Sequence, residues 1–475
     1  MLRVLKILFV LAAITGVWGC ERDYLFRGGS EGLYFSNDTV MFDTIFTSIG
    51  STTQHFRVYN PYSTDLTIDA IALAGGENSN FRLNINGFPE NSLNDMPMRA
   101  GDSLFVFVEL TIDPAGSDVP FVVTDSVLFY TRERVQSVKL VAYGQDVILL
   151  RKEWLKTQHF TKDKPYLIYD YVVVDSAQTL TIDAGARLHF HKNASLIVLG
   201  SLNVEGTKEE PVTFMGSRLE EWYADKPGQW GYIHLMPGSH NHSINHAIIK
   251  NGTMGIVVDS VGIDESPPLY LSNSRIEHVA KQGLLAQTSS IVASNSIFGD
   301  CGSTSVALTV GGNYNFYHCT IANYYRWSFR SEPALLLSNY YTDQGGEVRT
   351  KDLDAANFWN CIVYGRADNE IGLDFKRPKG GGLDVINYRF DHSLIRTSAN
   401  SETLNNTTYY RNVLVNEDPK FIAPYDFNYQ LDTLSVVKDY GNKEIGQYYP
   451  KDMIGNSRVD DDGPDLGALE RIEKE

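Results

Sequence analysis

The sequence predicts an all-β chain in two parts, a β-sandwich over residues 37–148 followed by a solenoid of short strands over 179–440. Three observations carry this. From Thr179 onward apolar residues alternate in short bursts (Leu180 and Ile182, Leu188 and Phe190, Leu202 and Val204, Val212 and Phe214), the period-two mark of strands with one buried face. Gly185, Gly200, Gly206 and Gly216 fall at or near the joins, where a chain that turns every few residues needs freedom from Cβ clashes. A five-residue pattern, x-[N/H]-small-x-I, recurs as Asn245–Ile249, Ser272–Ile276, Ser294–Phe298, Tyr317–Ile321, Trp359–Val363 and Asp391–Ile395, often roughly 22 residues apart, and such periods mean stacked repeats.

With 475 residues the chain is long enough for two domains, and 43% hydrophobic against 21% charged residues makes it globular rather than disordered. A net charge of −17 argues against nucleic acid as a partner, because phosphate backbones are held by clustered Lys and Arg. Residues 1–19 have the build of a secretory signal: Arg3 and Lys6, then an apolar run from Ile7 to Ile14, too short to span a bilayer. It ends in Val17-Trp18-Gly19-Cys20, which resembles a bacterial lipobox and implies lipidation of Cys20 and an outer-membrane lipoprotein, on either the periplasmic or the outer side. Residues 20–36 read as a polar, Gly-rich tether.

Between residues 37 and 148 seven strands alternate with turn signals such as Asn60-Pro61, Gly75-Gly76 and Asp113-Pro114, which fits a sandwich. Phe42-Asp43-Thr44, Arg57–Pro61 and Gly101-Asp102-Ser103 resemble the Ig-like modules that precede repeats in bacterial surface proteins. Residues 149–178 read as a join and N-terminal cap, since a solenoid end exposes apolar edges.

The stretch from Thr179 to Ser217, followed by Pro227-Gly228-Gln229-Trp230-Gly231, resembles the opening coils of right-handed, single-stranded parallel β-helix proteins of the pectin-lyase-like superfamily. Asp418-Pro419-Lys420-Phe421, Tyr429-Gln430-Leu431 and Asp465–Glu470 resemble the closing pattern of many bacterial β-helix surface proteins. The resemblance implies the fold. It does not select a function, because this scaffold carries lyases, hydrolases, adhesins and proteins of no known activity. Residues 441–475 are expected to close the C-terminal end of the coil. In the repeat, the column of His246, Asn273, Asn295, His318, Asn360 and His392 is expected to bond neighbouring coils. Cys319 and Cys361 are expected to be small buried residues, and with Cys301 they make an odd number that cannot all pair.

Two insertions, 339–357 and 365–382, flank the Trp359-Asn360-Cys361 coil and are expected to emerge near each other. They supply Asp343, Glu347, Asp368, Glu370, Lys376 and Arg377. A lyase on this scaffold needs a Lys or Arg base beside Ca²⁺ held by carboxylates, so these are the candidate catalytic residues; any exposed loop carries similar charges. No other cofactor is implied. His240 and His242 read as turn residues rather than metal ligands. Aromatic side chains cluster at Trp222, Trp230, Tyr324, Tyr325, Trp327, Tyr340 and Tyr341. Exposed, they would grip sugar faces; buried, they are core. The leading reading is a lipid-anchored envelope protein with a non-catalytic structural or binding role toward a carbohydrate or another envelope component. The alternatives are a polysaccharide lyase or glycoside hydrolase, and a plain spacer.

Overall fold

The computed structural model describes residues 32–116, 118–132, 134–263, 266–377 and 385–471, and the chain divides into two compact units after Asp146. Cys20, the signal and most of the tether lie outside the described residues.

The first unit is a β-sandwich. One sheet orders Tyr34–Phe35, Gln54–Tyr59, Ser103–Leu110 and Phe81–Ile85; the other orders Thr39–Phe46, Arg134–Gln145, Phe121–Thr131, Leu66–Leu73 and Ser92–Met98. Inward residues of both sheets, among them Phe56, Val58, Ile71, Phe81, Val106, Phe129 and Leu140, are fully buried between them. Ser92–Met98 is a strand the sequence does not announce: it carries Asp95 and Pro97, residues tolerated only at a sheet edge, and pairs on one side alone.

The second unit is a parallel β-helix whose sheet holds 24 strands among the described residues. Each coil visits three faces. The first carries Thr179–Asp183, Ser201–Glu205, Ser243–Asn245 and Leu269–Ser272; the second carries Arg187–Phe190, Val212–Gly216, Ala247–Lys250, Arg275–Glu277, Ile297–Gly299, Thr320–Asn323 and Ile362–Gly365; the third carries Ser195–Val198, Ile233–Leu235, Ile256–Asp259, Leu335–Ser338 and Ile371–Asp374. Coiling begins at Ile148–Leu155, which pairs in parallel with Tyr166–Val174. Inward residues stack in continuous rows. On the first face, Ile182, Val204, Ile244, Leu271, Ala293, Phe316, Phe358, Phe390 and Tyr410 stand one over the next. Stacked rows of this kind make the core and fix the register.

The repeat motif forms the corner between first and second faces. His246, Asn273, Asn295, His318, Asn360 and His392 all hold φ between 44 and 52°. A one-residue corner needs this left-handed backbone, and Asn and His tolerate it better than most side chains. Within this column Asn360 Nδ2 bonds His318 Nε2 of the adjacent coil at 3.0 Å, and a more regular inter-coil ladder lies one position further on. Ala247 N donates to Ser274 Oγ, Ser274 N to Ser296 Oγ, Cys319 N to Cys361 Sγ and Cys361 N to Ser393 Oγ, at 3.0–3.4 Å. Cys319 and Cys361 are thus buried free thiols with a hydrogen-bonding duty, and Cys301 is free and buried too.

The tail from Asn416 runs back along the side of the coil instead of stopping its last turn. Asn295 Nδ2 donates to Lys451 O at 2.9 Å, Asn360 exchanges bonds with the Asn442 backbone at 2.7 and 3.1 Å, and Gly467 N donates to Asn360 O at 2.8 Å. The corner amides therefore hold the tail as well as their neighbours. Beneath the tail, the outward residues Ile297, Ala322, Ile362 and Leu394 of the second face pack against Phe421, Tyr429, Leu431, Val437, Leu466 and Leu469.

Candidate functional site

The corner column places a groove. Asn442, held by Asn360, caps the helix Lys443–Tyr448, its Oδ1 accepting from Glu444 N at 2.9 Å and Ile445 N at 3.2 Å. That short helix stands over the first face and carries Tyr448 and Tyr449 at its end. The outward side chains Tyr270, Tyr317 and Trp359 look toward it from the sheet, Tyr317 and Trp359 on adjacent coils. Two depressions follow, of about 650 and 510 Å³, with Glu444 in the wall of both. Tyr270, Tyr317, Tyr448 and Tyr449 line the first; Trp359, Asp391, His392, Arg411, Tyr440 and Lys443 line the second. Tyr448 is 78% and Tyr270 50% exposed, so their ring faces are available. Tyr317 and Tyr449 lie 5.1 Å apart at 30°. Burial raises both phenol pKa values, so each hydroxyl stays protonated at neutral pH and can donate as well as accept.

The second depression contains an acid–imidazole pair. Asp391 is buried, and its Oδ1 lies 2.7 Å from His392 Nδ1. The Asn412 amide nitrogen donates to His392 Nε2 at 3.2 Å, which places the imidazole proton on Nδ1, toward Asp391. Asp391 Oδ2 is buried without a hydrogen-bond partner among the described residues. A second such pair, His278 Nδ1 with Asp300 Oδ2 at 2.6 Å, is buried and roofed by the Phe427 ring at 3.9 Å, out of reach of a ligand.

The two insertions meet only in part: Lys376 and Arg377 stand beside the hairpin that carries Asp343 and Glu347, while Asp368 and Glu370 lie elsewhere. Asp343 staples the hairpin Tyr340–Thr342/Val348–Thr350: its Oδ1 accepts from Gly345 N and Glu347 N, and its Oδ2 from Arg349 Nε at 2.8 Å. The Arg349 bond holds the Asp343 carboxyl below its usual range. Lys376 and Arg377 are exposed beside this hairpin, Lys376 being tied through its backbone to Asn339. Glu347 belongs to the same hairpin, at the corner between third and first faces. Asp368 and Glu370 sit at the other end of the strand Ile371–Asp374, on the opposite corner. Glu370 is fully buried in a two-pronged pair with Arg330 at 2.6 and 2.9 Å and also accepts from Ala334 N and Ala367 N. That is structural work, and truncating one partner of such a buried pair strands the other charge. Arg330→Ala is expected to lower unfolding free energy by about 3–5 kcal/mol in urea melts. Asp368 is exposed and pairs with Arg396 at 3.3 Å. Among the described residues, no group of three or more His, Cys, Asp or Glu is arranged to hold a metal ion.

The expected aromatic platform also separates. Trp230 is fully buried, stacked 4.2 Å from Phe190 with Nε1 donating to Lys250 O, so it has no face for a ligand. Tyr324 and Tyr325 are buried at 9% and 6% exposure. Trp222 is exposed, with Lys226 Nζ 3.8 Å above its ring, and Trp327 is partly exposed on the same type of corner. Tyr340 and Tyr341 belong to the hairpin on the other corner. His242, expected in a surface turn, is buried, its Nδ1 accepting from Leu202 N at 3.2 Å. Sequence reading misses Tyr270, Tyr317, Trp359, Tyr448 and Tyr449. Tyr317 and Trp359 had a signal: each stands just before the left-handed corner, where strand alternation points the side chain outward.

No family model matches the chain, and none of the curated proteins compared with it is similar. Among solved structures, the chain matches a family 123 glycoside hydrolase from Clostridium perfringens, described for glycolipid glycan hydrolysis, at 7% identity and a TM-score of 0.17. The match covers 25% of this chain and spans about a quarter (26%) of that one; at this level it carries no argument about fold or function.

Proposed function

We propose that this chain is a lipid-anchored envelope protein that binds glycans, without cleaving them, along the groove between the first face of the β-helix and the helix Lys443–Tyr448. The supporting observation is the run of tyrosine and tryptophan rings, Tyr270, Tyr317, Trp359 and Tyr448, in two depressions that share Glu444 in their walls. Flat, partly exposed rings with polar tips suit the apolar faces and hydroxyl rims of sugars. The anchor is the lipid on Cys20, in the outer membrane, with a polysaccharide or another envelope component as the partner. One observation favours a second reading, glycan cleavage as a lyase or hydrolase in the same groove: His392 is oriented by a buried carboxylate, as a general base would be.

The test is electrophoretic retention of the full chain in gels containing xylan, glucomannan or polygalacturonate, followed by an assay for new reducing ends and unsaturated uronate. Retention by at least one polymer is expected, with at least a tenfold weakening in the Tyr270→Ala/Tyr448→Ala double variant, about 1.4 kcal/mol or more. Both residues are exposed, so folding should be unaffected. Indifference to all polymers, or retention that survives the double change, would overturn the binding site. New chain ends that vanish in His392→Gln would replace binding by cleavage.

A further inference from the structure

On the opposite side of the second face, at the corner leading to the third, the chain builds an open depression of about 400 Å³ unrelated to the groove. Four separate stretches meet there. Tyr324 follows the strand Thr320–Asn323; Tyr364, Gly365 and Arg366 end the strand Ile362–Gly365; Arg396 follows Arg389–Ile395; and Asp418 to Tyr425 come from the returning tail. The depression is lined by three cations, Arg366, Arg396 and Lys420, against one carboxylate, Asp418. In a chain of net charge −17, this local surplus of positive charge runs against the field of the whole molecule.

The cations are positioned rather than loose. Arg396 Nη1 donates to Gly365 O at 3.0 Å, and its guanidinium lies 5.1 Å from the Tyr364 ring centre. Arg366 Nη1 donates to Tyr325 O at 3.2 Å. Lys420 holds a left-handed backbone at φ 49°, with its N–H donating to Asp418 Oδ1 at 2.9 Å. Each guanidinium spends only part of its five donors on these bonds; Arg396 also pairs with Asp368, which is exposed. Phenol groups complete the wall. Tyr324 is raised above its usual pKa, first by burial, so its hydroxyl remains a donor.

We propose that this depression binds a small oxyanion, the carboxylate, sulfate or phosphate group of a charged sugar. Planar guanidinium forks match the geometry of such groups, the lysine adds a point charge, and the half-exposed ring of Tyr425 receives the attached sugar ring. The site is independent of the aromatic groove and stands or falls separately.

Calorimetric titration of the full chain tests it with four probes: trigalacturonate, N-acetylglucosamine 6-sulfate, inorganic phosphate, and a neutral galactose trimer. At least one charged probe is expected to bind and the neutral trimer to bind at least tenfold more weakly, and the probe that binds identifies the oxyanion. Affinity should fall as NaCl rises from about 20 to 300 mM, because screening shortens the reach of the cations. Arg366→Gln with Lys420→Asn should lose at least tenfold in affinity; asparagine is chosen at 420 because it tolerates the left-handed backbone. Tyr270→Ala/Tyr448→Ala should bind the charged probe as the native chain does. Failure of all three charged probes overturns the proposal, as does binding that the Arg366→Gln/Lys420→Asn variant leaves unchanged.

Discussion

Replacing Arg458 with methionine is expected to loosen the C-terminal tail and lower stability by about 3–5 kcal/mol. Arg458 is fully buried. Its Nη1 donates to Glu470 Oε2 at 2.7 Å, and its Nη2 donates to Gly467 O at 3.0 Å and to Asn295 Oδ1 at 3.2 Å. One side chain thus ties the tail to itself and to the coil corner. Methionine fills similar volume but removes the donors to Gly467 O and Asn295 Oδ1 and leaves the buried Glu470 carboxyl, which burial already raises to about 8, without its partner. Freed, the tail would uncover Ile297, Ile362 and Leu394, whose outward faces are apolar. The readouts are the urea midpoint, binding of a hydrophobic dye, and limited proteolysis within residues 416–471. Arg458→Met with Glu470→Leu removes both ionisable groups and should recover part of the loss but not all of it, because Gly467 O, Asn295 Oδ1 and Asp465 N still lose a partner. A single variant that melts within about 1 kcal/mol of the native chain and resists protease equally would refute the assignment.

Much of this fold is legible in the sequence because its physics is local and repeated. Alternation gives one buried face, and the x-[N/H]-small-x-I motif gives the corner and the period. The tail is a different matter. Its course depends on contacts between residues far apart in the chain, such as Asn295 with Lys451 and Thr320 Oγ1 with Ala468 N. A trace of it is nevertheless present. Ile297-Phe298, Ile362-Val363 and Leu394-Ile395 break strict alternation with consecutive apolar residues, the sign of strands covered on both sides. Strands at the start of the coil, such as Ser201–Glu205, keep the alternation, with Asn203 and Glu205 outward.

The candidate sites were less legible, for reasons that can be named. Composition alone cannot distinguish Glu370, which is locked to Arg330 inside the protein, from Asp368, two residues earlier and in solvent. Nor can it distinguish Trp230, which fills the coil, from Trp222, which does not. The groove joins Tyr317 to Tyr449, and the basic depression joins Arg366 to Lys420; both junctions exist only because the tail folds back. Without that return, the aromatic and basic residues of residues 416–471 have no assignable neighbours.

Acid is expected to destabilise the β-helix through buried histidines: the loss begins near pH 6.5, His189 and His242 complete their share by about pH 4, and His318, held well below 6.5 by burial, extends it further down. Burial, the largest cause, lowers both His189 and His242 from 6.5 to about 4. The folded chain therefore holds these rings neutral while the unfolded chain protonates them at 6.5. Stability is full above that value and is lost as pH falls toward 4, by an order of about 3 kcal/mol per ring. Geometry supports the direction for His242: its Nδ1 accepts from Leu202 N and its Nε2 bonds Ser239 Oγ, so an imidazolium would leave the Leu202 N–H without an acceptor. Urea unfolding at pH 7.5 and 4.5 measures the effect, followed by circular dichroism and by total tryptophan fluorescence, to which the buried Trp230 stacked on Phe190 contributes. His242→Asn keeps an acceptor for Leu202 N and a donor for Ser239, and it does not titrate. It should melt earlier than the native chain at pH 7.5 and lose less stability between the two pH values. Carboxylates elsewhere contribute equally to both proteins and cancel in that comparison. Equal losses in native chain and variant would mean that His242 is charged in the folded protein, and the buried, hydrogen-bonded position described for it would then be wrong.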